Sequence, residues 1–196
     1  MQKFRYFILH KPCGMLSQFK SEGGHPGLGE LFEFPRDVYP VGRLDHDSEG
    51  LLLLTNDKQL TPLLLHPKQK HKRTYWVQVE GIVSEKALEL LTQGLPISID
   101  GEPYFTLPAK ARRLAEPDIP ERVPPIRYRK NVPCSWIELT LREGKNRQIR
   151  RMTAAAGFPT LRLLRVAIED LKLNDMKAGE VKELDGAFVY KKLKIR

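Results

Sequence analysis

Cysteine is almost absent from this sequence: Cys13 and Cys134 are the only two among 196 residues, and neither sits in a CxxC or Cys/His cluster. That argues against a disulfide scaffold and structural zinc, and it points to a reducing, cytoplasmic setting. Long apolar runs are absent too. The longest leucine run is Leu51–Leu54, far below the ~20 residues of a membrane span, and Met1-Gln2-Lys3-Phe4-Arg5 lacks the apolar core of a signal peptide. Export and membrane insertion are therefore not expected. The five histidines, His10, His25, His46, His66 and His71, show no HExxH-like spacing, so no metal is expected. Long blocks of like charge and low-complexity tracts are also missing, which excludes a disordered tail.

What is present fits a globular chain. With 41% hydrophobic residues in 196, the length suits one compact domain or two small lobes sharing a core, and we read residues 1–196 as a single domain. Lys and Arg number 33 against 24 Asp and Glu, a formal charge of +9, which favours a polyanionic partner such as RNA. A solvated basic surface would give the same count.

The pattern along the chain is α+β and rich in strands. Tyr6–Leu9 predicts a strand closed by His10-Lys11-Pro12 and Gly14. Residues 21–29, with four glycines and a proline, predict a mobile surface loop. Val38–Val41 is a short strand candidate, 42–50 a polar connection, and Leu51–Leu54 a run buried on both faces. Asn56 or Asp57 can cap a short helix reaching Leu65, with Pro62 as an obstacle. Arg73–Glu80 alternates with period two, setting Tyr75, Val77 and Val79 on one face. Ser84 opens a helix carrying Ala87, Leu88, Leu91 and Leu95, which ends near Gly94. Residues 116–133 hold five prolines together with Arg122, Arg127, Arg129 and Lys130, a proline-stiffened basic loop. A second amphipathic strand carries Trp136, Glu138, Thr140 and Arg142 on one face. The helix after it has Asn146 as a candidate N-cap, Ile149, Met152 and Ala156 along its buried stripe, and Gly157 at its end. Segments 161–166, 168–173 and 188–194 complete the strand-rich pattern.

Three constellations could carry chemistry. In Gly42-Arg43-Leu44-Asp45-His46-Asp47-Ser48-Glu49-Gly50, a carboxylate sits in a glycine-bounded turn directly before an apolar strand. It is anchored at its base and exposed at its tip, which suits a nucleophile or a general base. An ordinary acidic turn looks the same. A calcium loop starting at Asp45 fails, because its twelfth position is Asn56 where a bidentate Glu is required. In Glu143–Met152, helical spacing gathers Arg147, Arg150 and Arg151 on one side while Ile149 and Met152 face inward. Such arginines can orient a catalytic carboxylate or grip phosphate, or simply form a solvated face. In Arg73-Thr74-Tyr75, the tyrosine ring offers a base a stacking surface and a hydroxyl, unless it is only core.

Taken together, Gly42–Leu51, Arg73-Thr74-Tyr75 and Gly144–Met152 resemble, in order and spacing, the motifs of the RsuA branch of ribosomal pseudouridine synthases. The resemblance runs from Leu9-His10-Lys11-Pro12 to Ala178-Gly179-Glu180. It implies a mixed, largely antiparallel sheet in two lobes with a central active-site cleft, and it implies isomerisation of a uridine in 23S ribosomal RNA. By that resemblance Asp45 is the catalytic carboxylate, Arg150 pairs with it, and Tyr75 stacks on the flipped base and assists loss of its C5 proton. No cofactor is implied. The S4-type RNA-binding domain usual in the branch is not expected, since the first catalytic strand begins almost at Met1. RNA contacts are then expected from Arg43, Arg127, Lys130, Arg147 and Arg151, on a monomer. Two competing readings are a non-catalytic RNA-binding descendant of the fold and a glycoside hydrolase. The first would lack Asp, Tyr or Arg at these positions, and the second needs two carboxyl groups across the scissile bond.

Overall fold

The computed structural model describes residues 4–127, 129 and 131–195. In chain order its elements are β1 (Tyr6–Lys11), β2 (Tyr39–Pro40), β3 (Glu49–Thr55), α1 (Leu60–Leu65), β4 (Arg73–Glu80), α2 (Glu85–Gln93), β5 (Pro96–Ile99) and β6 (Glu102–Phe105). They continue with β7 (Lys110–Leu114), β8 (Cys134–Leu141), α3 (Gln148–Ala155), β9 (Thr160–Ile168), β10 (Leu171–Lys172), β11 (Val181–Leu184) and α4 (Gly186–Leu193). The chain divides into two compact units, one of residues up to His71 and from Arg165 on, the other Lys72–Leu164, so the division falls within β9.

The first unit has the strand order β11-β1-β3-β9, with β2 on β3 and β10 on β9. Strands β1 and β3 pair antiparallel from Tyr6 opposite Thr55 to Lys11 opposite Gly50. Leu51, Leu52, Leu53 and Leu54 are all fully buried, as their uninterrupted apolar run predicts for a strand covered on both faces. Phe7, Leu9, Leu52 and Leu54 share a core with Met15, Leu28 and Val38. At ~1.5–3 kcal/mol for each buried leucine, β3 is the anchor of this unit. Gly50 brings it close to its neighbour: a Cβ there would lie 2.3 Å from the Arg165 carbonyl oxygen, and its φ of +105° is left-handed. Asp57 then opens α1 by accepting from the Gln59 backbone N–H at 3.0 Å. Pro62 is tolerated because it lies in the first turn, where backbone N–H groups have no helical acceptor.

The second unit has the order β9-β4-β8-β7, with a separate β5–β6 hairpin. β4 and β8 pair antiparallel, Tyr75 opposite Leu139 and Gln78 opposite Trp136. Their inner faces, Val77, Val79, Ile137, Leu139 and Leu141, meet Ala87, Leu88 and Leu91 of α2 and Ile149 and Met152 of α3 in one core. Ser84 caps α2 by accepting from the Ala87 N–H at 3.2 Å, and Gly94 ends it.

The mixed α+β expectation with largely antiparallel pairing holds. Three local expectations do not. The stretch 188–194 lies largely in helix α4, because Asp185 caps it by accepting from the Phe188 N–H at 3.0 Å and Val189 and Leu193 fall on one buried face. Helix α3 is entered through Arg147 rather than Asn146, with Arg147 left-handed at φ +50°. The short strand at 38–41 shrinks to Tyr39–Pro40.

Candidate active site

The Asp45 turn is held by its backbone. Ser48 N–H donates to the Asp45 carbonyl at 3.0 Å, closing the turn, and Gly14 N–H donates to the His46 carbonyl at 2.7 Å. Ser17 holds Leu44 twice, its hydroxyl donating to the Leu44 carbonyl at 2.8 Å and accepting the Leu44 N–H at 3.0 Å. The Cys13 thiol donates weakly to the Asp47 carbonyl at 3.9 Å. Four successive carbonyls, residues 44–47, are thus each engaged, while the Asp45 side chain itself is only half-buried. A carboxylate on a base this constrained keeps its orientation through a reaction cycle.

Beneath the turn lies a residue that sequence reading passed over. Lys11 ends β1 and is fully buried. Its ammonium donates to the carbonyls of Met15 at 2.7 Å, Pro12 at 2.9 Å and His46 at 3.3 Å. Burial pushes the Lys11 ammonium down to about 8, against the opposing pull of Cys13, Glu49, Asp47 and Asp45. Its one sequence signal is a lysine at the end of an apolar strand, followed by proline.

In the other unit, Tyr75 is half-buried on β4 and packs against the core that contains Ile149 and Met152 of α3. The approach to α3 is fixed by Glu143. Its carboxylate accepts from the Tyr104 hydroxyl, from the Leu107 N–H at 2.8 Å and from the Gln148 amide at 2.6 Å. The hydrogen bond to Glu143, reinforced by burial, pushes the Tyr104 hydroxyl up to about 12. Gln148 in turn accepts the Lys145 N–H at 3.0 Å. Arg147, Arg150 and Arg151 are half-buried rather than a solvated stripe, and the Arg151 guanidinium is spent on the Ser98 carbonyl. The left-handed backbone of Arg147 marks a segment whose shape is imposed by its surroundings.

Of the residues expected to contact RNA, Arg43 and Arg127 are exposed, Arg147 and Arg151 are half-buried, and Lys130 lies outside the described residues. Among the described residues no group of three or more His, Cys, Asp or Glu is placed to hold a metal, and no helix is long and apolar enough to cross a membrane.

Residues 5–155 match the family model described as RNA pseudouridylate synthase. A Xanthomonas axonopodis pv. citri protein named ribosomal large subunit pseudouridine synthase E is 52% identical over 170 residues, 85% of this chain and 87% of the relative. A Vibrio parahaemolyticus protein of the same name is 47% identical over 184 residues, 94% of this chain and 75% of the relative. Among solved structures, a crystal structure of a pseudouridylate synthase superposes with a TM-score of 0.79 at 30% identity, covering 98% of this chain and 75% of that one.

Proposed function

The chain belongs to the RNA pseudouridylate synthase family, and from that premise we propose that it isomerises one uridine of large-subunit ribosomal RNA with Asp45 as its catalytic carboxylate. The observation that carries the assignment of Asp45 is the turn itself: four engaged carbonyls beneath one half-buried carboxylate. The name shared by relatives at 47% and 52% identity supports the choice of RNA.

In this reading the target uridine leaves its stack at a cost of a few kcal/mol, offset by contacts in the pocket, and its ring lies against Tyr75. Asp45 drives cleavage of the bond between C1′ and N1. Uracil rotates, C5 bonds to C1′, the C5 proton leaves with help from Tyr75, and N1 takes up a proton. The reaction is an isomerisation with no net change in atoms or electrons. Arg150 pairs with Asp45 and orients it, since arginine's fixed fork of donors matches the geometry of a carboxylate. The two units act together as one catalytic domain. The enzyme works as a monomer in the cytoplasm without cofactor or metal, and Arg43, Arg127, Lys130, Arg147 and Arg151 supply the backbone contacts.

The test is carbodiimide adduct formation with primer extension on large-subunit rRNA treated with wild type or with Asp45→Asn. One new stop, present only with wild type, is expected. No stop on either free rRNA or immature subunits would overturn the proposal in favour of a non-catalytic RNA-binding protein.

A further inference from the structure

The glycine-rich segment that precedes the Asp45 turn in the first unit is hydrogen-bonded into a hairpin. Glu22 and His25 exchange backbone bonds at 3.1 and 3.0 Å across Gly23 and Gly24, both of positive φ, as a tight two-residue turn requires. Leu16 N–H donates to the Pro26 carbonyl at 2.9 Å and Leu28 N–H to the Gln18 carbonyl at 2.7 Å, so the two arms are joined below the tip. One arm carries Ser17, whose hydroxyl bonds to Leu44 tie the hairpin to the turn. The tip delivers a side chain beside the carboxylate: the His25 ring lies against the ring of His46, with centroids 4.7 Å apart and planes tilted by 41°.

This ring pair is not core. His46 is exposed and His25 half-buried, so imidazole surface faces solvent one residue from Asp45. Neither ring belongs to a metal-holding group among the described residues. Ordering a surface side chain costs rotamer freedom that little burial offsets, so a ring pair held here calls for a use. The reaction supplies one. A uridine that flips out leaves the base beside it with one face bare. Flat aromatic side chains, histidine among them, take such faces whatever hydrogen-bond pattern the base carries.

We infer that His46, backed by His25, is a stacking platform for the base adjacent to the flipped uridine. The platform rests on the reading of Asp45 as the carboxylate that acts on that uridine, and it deepens that reading by assigning a binding role to the neighbouring side chain. Stacking on His46 offsets part of the cost of flipping, and it makes the enzyme sensitive to the presence of a base beside its target more than to the identity of that base. The ring is free for this role because the structural work of His46 is done by its backbone, whose carbonyl accepts from Gly14 N–H and from the Lys11 ammonium.

The test is a cycle between protein and RNA. The uridine is located by carbodiimide mapping, and the shortest rRNA fragment that wild type still modifies is made intact, with an abasic nucleotide on its 5′ side, or with one on its 3′ side. Pseudouridine formation is followed with wild type, His46→Ala and His46→Phe. On the intact fragment His46→Ala should lose roughly five- to a hundredfold in kcat/KM, the weight of one base–aromatic stack, and His46→Phe should retain most of the wild-type value. On one of the two abasic fragments wild type and His46→Ala should become equal. His25→Ala should show a smaller loss with the same dependence on the base. An equal loss by His46→Ala on all three fragments would mean that the ring only packs the hairpin. Failure of His46→Phe to exceed His46→Ala would mean that imidazole is needed for its proton or charge, and no loss at all would mean an idle surface residue. Each of these results overturns the platform alone. If mapping locates no uridine on free rRNA or on immature subunits, the proposed activity falls and the platform with it.

Discussion

Replacing Lys11 with methionine tests how the Asp45 turn is supported. The methionine fills the space of the lysine stem but removes three ammonium hydrogen bonds, at 2.7, 2.9 and 3.3 Å. Charge-assisted bonds contribute about 1.5–3 kcal/mol each. Against that loss stands relief of the burial cost. A fall from 10.5 to about 8 corresponds to about 3.5 kcal/mol at ~1.4 kcal/mol per pKa unit. The net expectation at neutral pH is a loss of about 1–5.5 kcal/mol, a fall in Tm of roughly 2–20 °C for a chain of this size. The pH dependence is more diagnostic. Because Lys11 has the lower pKa in the folded state, the unfolded chain binds more protons between pH 8 and 10.5, so stability rises with pH across that window. Wild type should gain about 2 kcal/mol from this group between pH 8 and 10, and Lys11→Met should gain none of it. Above pH 10 the raised hydroxyls of Tyr6 and Tyr190 reverse the trend, since the unfolded chain then ionises first. Urea denaturation followed by circular dichroism at pH 7, 8, 9 and 10 reads the difference. A gap between the two proteins that stays constant or narrows from pH 8 to 10 would refute the buried, weakly basic ammonium.

Gly50→Ala should cost several kcal/mol, seen as a large fall in Tm, because its Cβ would press into the Arg165 carbonyl at 2.3 Å in a left-handed conformation. Ser17→Ala should cost about 1–3 kcal/mol by removing both bonds to Leu44, and should lower kcat more than it raises KM, since the turn carries the carboxylate. Arg127→Ala, at an exposed loop position, should weaken rRNA binding and reduce the slope of log K against log salt by about 1, measured by filter binding across a salt series.

The strands that carry the core were legible because their periodicity and their burial agree. Val77 and Val79 on β4 and Ile137, Leu139 and Leu141 on β8 alternate as half-buried strands do, and Leu51–Leu54 could only be covered on both sides. Strands β5, β6 and β7 were not, because they are four or five residues long, mostly exposed, and carry Pro96 and Pro103. β5 and β6 form only a short hairpin with each other, and β7 pairs with β8 across the long proline loop. Helix α4 shows the cap overriding propensity: Phe188, Val189 and Tyr190 favour a strand, but Asp185 and the Val189/Leu193 spacing decide for helix. The motifs that contain the proposed residues Asp45, Tyr75 and Arg150 were legible as a resemblance. Their support was not, because Lys11 and Glu143 act through contacts with carbonyls and side chains that residue type does not reveal. The arginines of α3 were legible as a cationic stripe, with a solvated face as the alternative, and their half-burial follows from tertiary contacts such as that of Arg151 with Ser98.

The central claim is that Asp45 drives the isomerisation, and loss of the C5 proton gives it a direct readout. Large-subunit rRNA labelled with tritium at uridine C5 is incubated with wild type and with Asp45→Asn, and released tritium is counted beside a binding measurement on the same RNA. The account predicts release to a plateau of one uridine per rRNA with wild type, none with Asp45→Asn, and equal binding by both. Release by Asp45→Asn at the wild-type rate, or absence of release from wild type that binds the RNA, would contradict it.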